Sequence, residues 1–269
     1  MKRLAVLLAL LAAPAGAQEL RFDGQFVQGG VVFGTTQPGA SVALDGQPVR
    51  VSPDGRFVIG FAREAPRTAS LHVSSNGAAR TIELAVTPRR FDIQRIDGLP
   101  EAKVTPDPVA LARIAAENLK LVAARRRDKP EALFSGGFRW PATGPISGVY
   151  GSQRILNGQP RAPHLGVDVA RPTGTPVVAS ADGIVSLAEP DLFFTGGTLV
   201  IDHGHGLSSI YAHLSRIDVA VGRRVRAGEP VAAIGATGRV TGAHLHWGLT
   251  WFDVRLDPAL VVPPMPAAE

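Results

Sequence analysis

The sequence predicts a mainly β chain: a small N-terminal β-sandwich, a linking helix, and a larger C-terminal antiparallel β domain. Three observations predict it. Alternating apolar and polar runs separated by tight-turn dipeptides fill residues 20–88, the apolar spacing switches once to a helical period after residue 106, and strand-like runs punctuated by Gly and Pro return from residue 138. The chain has 269 residues, is 45% hydrophobic and 19% charged, and carries a formal charge of +5. Such a composition argues against a disordered chain. With no Cys there is no disulfide framework, thiol nucleophile or thiolate ligand, so any metal must be held by nitrogen and oxygen.

The N-terminus reads as a leader. Lys2 and Arg3 precede an apolar run over residues 4–13, followed by Pro14 and the small residues Ala15-Gly16-Ala17. A basic start, a short apolar core and an A-x-A-like end are the signs of a secretory signal peptide, here residues 1–17. The apolar run is shorter than the roughly 20 residues a spanning helix needs. The expected mature protein is therefore exported, periplasmic and without an integral membrane segment.

Residues 18–90 form the predicted sandwich, in which Asp45-Gly46, Asp54-Gly55 and Asn76-Gly77 lie between β-prone runs as hairpin turns. His72, in Leu71-His72-Val73, reads as an ordinary strand residue. Residues 91–137 are the linker, with a helix over about 106–128 on which Leu111, Ala115, Leu119 and Val122 share one face. Arg125, Arg126 and Arg127 fall where cations favour a helix C-terminus. No aromatic residues interleave with them, which speaks against a nucleic-acid groove. Residues 138–260 form the second β domain, with Asp182-Gly183 expected to join residues 176–179 and 184–187 as a hairpin, and residues 261–269 form a tail.

Six of the seven histidines fall between His164 and His246. In His164-Leu165-Gly166-Val167-Asp168, a separation of four places His164 and Asp168 on one face of a strand. In His244-Leu245-His246, a separation of two does the same for both imidazoles. Imidazole and carboxylate suit zinc, and a catalytic zinc site uses three protein ligands with one open position. His164, Asp168 and one of His244 and His246 supply three ligands, which leaves the other histidine and His213 for acid–base work. His203 and His205 sit in a Gly-rich turn and read as turn residues near the mouth of such a site. There is no H-E-x-x-H helix, G-x-S-x-G elbow or P-loop.

The stretch over residues 145–258 resembles the catalytic domain of LytM/lysostaphin-type zinc metallopeptidases, enzymes that cut peptide bonds in bacterial cell-wall peptidoglycan. The resemblance rests on Ser147-Gly148-Val149-Tyr150-Gly151, His164-Leu165-Gly166-Val167-Asp168, Gly174-Thr175-Pro176-Val177, Ile201-Asp202-His203-Gly204, Tyr211-Ala212-His213-Leu214 and Thr241-Gly242-Ala243-His244-Leu245-His246. It implies a single Zn2+ held by His164, Asp168 and His246, with His213 and His244 as catalytic histidines that do not bind the metal. The implied substrate is a peptidoglycan stem peptide or crosslink. Ala243, Trp247 and His205 stand where the family often has Pro, Phe and Asn, and none of the three removes a ligand or base. The alternative role is that of a non-catalytic LytM-like activator or a peptidoglycan-binding module. Members of that kind lack one or more of the five residues, and this chain keeps all five. The apolar rings Phe193 and Phe194 either line the groove or pack on their own domain. For the N-terminal sandwich, wall binding, partner docking and shielding of the site are the readings left open.

Overall fold

A computed structural model describes residues 20–96, 108–156 and 158–266. The signal peptide expected at residues 1–17, linker residues 97–107 with the expected helix start at Pro106, and the last three residues lie outside the described residues. As expected, the chain is mainly β.

The first seven strands are β1 (Arg21–Gly24), β2 (Val31–Thr35), β3 (Ser41–Leu44), β4 (Gln47–Val49), β5 (Arg56–Gly60), β6 (Thr68–Ser75) and β7 (Ala78–Ala85). They form two antiparallel sheets, ordered β1-β2-β5 and β4-β3-β6-β7. Asp45-Gly46 and Asn76-Gly77 each close a two-residue hairpin with both residues at positive φ, the geometry these dipeptides favour. Asp54-Gly55 does not close a hairpin. Its flanking strands belong to different sheets, because β5 pairs with β2 while β4 pairs with β3, so the turn carries the chain across the sandwich. His72 lies exposed on β6 and contacts Thr81 across the strand pair.

Beyond β8 (Ile93–Ile96), the helix α1 runs over Pro108–Arg125. The stripe expected from the sequence is not its packed face: Leu111 and Leu119 are 50% and 72% exposed. Leu121 and Ala124 are the buried residues, and they pack against Leu187, Val200 and Ile210. The sequence holds two apolar stripes on one helix, and tertiary packing selects the other.

The C-terminal strands are β9 (Ile146–Gly148), β10 (Gln153–Leu156), β11 (Gln159–Pro160), β12 (Val167–Ala170), β13 (Pro176–Val178), β14 (Gly183–Leu192), β15 (Gly196–Asp202), β16 (Leu207–Ile217), β17 (Arg224–Val225), β18 (Pro230–Ile234), β19 (His244–Trp251) and β20 (Val254–Leu256). Most join one sheet in the order β17-β14-β15-β16-β19-β12-β9, with β18 on β16 and β20 on β19. The hairpin expected at Asp182-Gly183 is absent. β13 pairs with β18 instead, because both edges of β14 are already occupied by β15 and β17. The Asp182 turn is held from elsewhere, its carbonyl accepting from His203 Nδ1 and its carboxylate from the Ala227 N–H.

Strand alternation divides this sheet into two loaded faces. Leu245, Trp247, Leu249 and Trp251 of β19 point to one face and are all buried. Leu245 and Trp247 belong to the core of the C-terminal sheet. Leu249 and Trp251, with Leu207 and Leu256, merge into the core of the N-terminal sandwich beside Phe57, Ile59 and Leu71. A Cβ on Gly60 would lie 2.7 Å from Leu256 Cδ2, so the two parts meet closely. The Arg89–Asp257 ion pair at 2.8 Å, with Asp257 almost fully buried, ties the end of the sandwich to the C-terminal segment.

His203 is fully buried between the Asp182 carbonyl at 2.7 Å and Ser209 Oγ at 2.8 Å. Burial pushes its pKa down to about 4. Below its ordinary value near 6.5 the unfolded chain takes up a proton here, and the native chain does not until about pH 4. Native stability therefore falls as pH drops through that window, by up to about 3 kcal/mol from this residue. Urea unfolding between pH 7 and pH 4 is expected to show this loss. In His203→Asn, which retains a donor toward Asp182, the stability should be lower at pH 7 and the pH slope visibly shallower.

Candidate active site

The face of the sheet opposite the core carries the predicted site. Asp168 on β12 stands directly opposite His246 on β19, and Ala212 on β16 is His246's neighbour on the other side. His244 shares this face with His246, as their spacing predicts. His164 arrives differently. It is not in a strand with Asp168 but in the loop before β12, where its own N–H and C=O bond to the Ser152 carbonyl and the Gly151 N–H.

Three atoms converge. His164 Nε2 lies 3.0 Å from Asp168 Oδ1 and 3.0 Å from His246 Nδ1, and His246 Nδ1 lies 2.9 Å from Asp168 Oδ1. Together these residues form a group that could hold a metal ion. A carbonyl only accepts hydrogen bonds, so the 3.0 Å contact from His164 Nδ1 to the Val149 carbonyl places the proton on Nδ1 and turns the Nε2 lone pair toward Asp168.

The electrostatics follow from burial and mutual contact. Burial disfavours the Asp168 carboxylate, yet when His164 and His246 are protonated toward it, their bonds and charges hold it far below the usual carboxylate range. Burial also opposes the charge on His164, but the bond and charge of Asp168 outweigh it and raise its pKa. On His246 burial wins, and the nearby His164 and His244 lower its pKa further.

His213 and His244 stand beside this group, with ring centroids 4.7 Å apart, and His213 is 6.2 Å from the His246 ring. His244 Nε2 lies 3.9 Å from Asp168 Oδ1. Both rings are oriented by backbone carbonyls: His213 Nδ1 donates to Thr237 at 3.0 Å and His244 Nδ1 to Gly242 at 2.9 Å. In its neutral form each therefore presents Nε2 as a lone pair. Burial, with like charge from His246 and His244, pushes the His213 pKa down to about 4, so this ring is neutral at neutral pH. His213 also sits at φ 63°, in the left-handed region, next to a register irregularity in β16. Strain of order 1 kcal/mol is typical of such a residue.

The five residues singled out in the sequence are thus brought together. His203 and His205 are not at the mouth of the site. They form the turn between β15 and β16, at the other end of β16 from His213, where they pack on Phe138 and Phe134. Several participants carried no side-chain signal. The carbonyls of Val149, Thr237 and Gly242 set the tautomers. Two glycines leave room: a Cβ on Gly148 would lie 2.3 Å from Asp168 Oδ2, and one on Gly166 would lie 2.7 Å from the His246 ring. These glycines, against Asp168 and His246, were the available clue.

Residues 162–258 match the model of peptidase family M23. Over 103 residues, 38% of this chain, the sequence is 41% identical to the DD-carboxypeptidase/endopeptidase Mpg of Neisseria meningitidis, of which this covers 24%. It is 46% identical over 88 residues, 33% of this chain, to the peptidoglycan DD-endopeptidase ShyA of Vibrio cholerae, of which this covers 20%. The chain thus spans about a quarter or less of the length of these curated relatives. A crystal structure of a Pseudomonas aeruginosa protein described as peptidase M23 superposes with a TM-score of 0.68 and 32% identity, over 88% of this chain and 95% of that one. The sequence match over almost the whole of that protein, on a shared fold, shows that this chain belongs to peptidase family M23.

Proposed function

We propose that this protein is an exported, periplasmic zinc endopeptidase that hydrolyses peptide crosslinks in bacterial peptidoglycan. Residues 138–260 form its catalytic unit and residues 18–90 a supporting sandwich. The observation that carries the reading is the triangle of His164 Nε2, Asp168 Oδ1 and His246 Nδ1, with two further imidazoles presenting bare Nε2 atoms beside it. Zinc bonds to nitrogen and oxygen are about 2.0–2.2 Å long, which separates tetrahedral donors by about 3.3 Å. The three edges of 2.9–3.0 Å approach that spacing. Three acceptors facing one another at this distance, with a net charge suited to a divalent ion, fit zinc. The names of the relatives support the substrate: one is a peptidoglycan DD-endopeptidase, another a DD-carboxypeptidase/endopeptidase. The leader-like residues 1–17 support export.

When bound, zinc supplies the Lewis acidity that activates water and polarises an amide carbonyl. The chain's own residues do the rest. His164, Asp168 and His246 hold the ion. His213 and His244, as Nδ1–H tautomers, can each accept a proton at Nε2, and neither can donate from Nε2 before doing so. One of them takes the proton of the attacking water and, once charged, donates it to the departing amine. Burial keeps His213 neutral beforehand, and so ready to accept. A positive imidazolium beside the carbonyl oxygen also stabilises the charge that develops there.

Digestion of purified peptidoglycan by residues 18–269, with products resolved by mass, is expected to convert crosslinked dimers to monomers, and a zinc chelator should stop it. Zinc-replete protein that leaves dimers intact would sink the proposal. His246→Ala should lose stoichiometric zinc together with activity. His213→Ala should keep about one zinc per chain while its rate falls about 10²- to 10⁴-fold; loss of the metal here would overturn the division of roles. Gly148→Ala removes no donor atom, but its Cβ forces the Asp168 carboxylate aside. Its zinc affinity, measured by competition with a chelator, should drop about 10- to 100-fold.

A further inference from the structure

The tip of the β14–β15 hairpin and the loop of residues 236–243 are laced together beside the two free imidazoles. The His213 N–H donates to the Thr195 carbonyl, His213 Nδ1 to Thr237, and the Arg239 N–H to the Phe194 carbonyl. Thr237 Oγ1 accepts from the Gly197 N–H and donates to the Leu214 carbonyl. His244 closes the same loop through Gly242 and Gly235. Arg239 is therefore fixed at the rim of the site by the bonds that orient the imidazoles.

Its side chain is exposed, and its guanidinium carbon sits 4.3 Å from the centre of the Phe194 ring, a cation–π contact that holds the charge in place. The acids of this corner have other partners. Asp191 pairs with Arg113, Glu189 with Lys120, and Glu117 with Arg113 and the Phe193 N–H. Among the described residues Arg239 has no carboxylate partner. A planar cation, stacked and unpaired at the wall of a hydrolytic site, matches a substrate carboxylate in geometry and charge.

We infer that Arg239 is a specificity-determining residue that binds a substrate carboxylate next to the scissile amide, on the carbon that bears its nitrogen. This rests on the peptidoglycan reading of the same site. A crosslink to the side-chain amine of diaminopimelate has such a carboxylate, and a crosslink to lysine is the same structure without it. A C-terminal D-alanine also places one there, so the same contact serves an exposed chain end. Phe194 positions the guanidinium, which assigns the Phe193-Phe194 tip to the wall of the groove.

The test compares two synthetic crosslinked dimers, one joined through meso-diaminopimelate and one through lysine, with the zinc-loaded chain of residues 18–269. The wild-type protein should favour the diaminopimelate dimer about 10- to 100-fold in kcat/KM, mostly through KM. Arg239→Gln should lose that preference, its loss in kcat/KM falling mainly on the diaminopimelate dimer, and Arg239→Lys should keep part of it. Equal cutting of both dimers by the wild-type protein would overturn the inference, as would an equal loss on both substrates in Arg239→Gln. Calorimetric binding of the two monomeric stem peptides, which offer no crosslink to cut, separates this from the parent reading. If neither dimer is cut, an Arg239-dependent preference for the diaminopimelate peptide still upholds the carboxylate site, and equal binding removes it.

Discussion

Asp168 and His246 meet because β12 and β19 pair antiparallel in a register that sets Val167 opposite Trp247 and Asp168 opposite His246. The side-chain period of a strand is two, so a slip of one residue would turn every side chain of β19 to the wrong face. His246 would enter the core and Trp247 would enter solvent. Leu245, Trp247, Leu249 and Trp251 make that slip prohibitive, since each buried side chain of this size is worth roughly 1.5–3 kcal/mol. The metal-type group is therefore held in register by the hydrophobic residues that alternate with it, and the N-terminal sandwich adds to the hold by burying Leu249 and Trp251.

The same division of faces bears on what the sandwich does. Its core is continuous with the face of β19 opposite the histidines, at the far end of the strand. The element that shares the site's face is α1. Leu121 and Ala124 cover Leu187, Val200 and Ile210, and Ile210 pairs with Gly248, two residues along β19 from His246. Through Arg113, Glu117 and Lys120 the helix also grips the β14–β15 hairpin whose tip supports His213 and Arg239. Packing on the back and a helix on the front thus leave the strip around β19 and β12 as the place where substrate can lie.

Much of this was legible in the sequence, for identifiable reasons. His244-Leu245-His246 has a spacing whose geometry is fixed by strand periodicity alone, and Asn76-Gly77 and Asp45-Gly46 have backbone preferences that nearly dictate their turns. His164 was harder, because its approach to Asp168 depends on a loop clamped to residues 151 and 152 rather than on a period. The packed face of α1 was illegible, since Leu111 and Leu119 are as apolar as Leu121, and only the position of β14 and β15 decides between them. Asp182-Gly183 has a hairpin's chemistry but not its partner strand, because pairing is set by the whole sheet. The carbonyls of Val149, Thr237 and Gly242 leave no mark in any side chain.

What those carbonyls accomplish is to set lone pairs against one another. With Nδ1 of His164 committed to Val149, its Nε2 faces a carboxylate oxygen and a third ring nitrogen at about hydrogen-bond distance, where at most a shared proton relieves the repulsion. A buried cluster of acceptors costs free energy when it lacks positive charge. His213 adds backbone strain at positive φ. These costs persist because strands fixed by Trp247, Tyr211 and Leu245 over-determine the geometry. A cation that binds only the folded state recovers part of them, and so stabilises the fold in proportion to its affinity. The groups that make the site costly to fold are the same ones that could hold a metal ion.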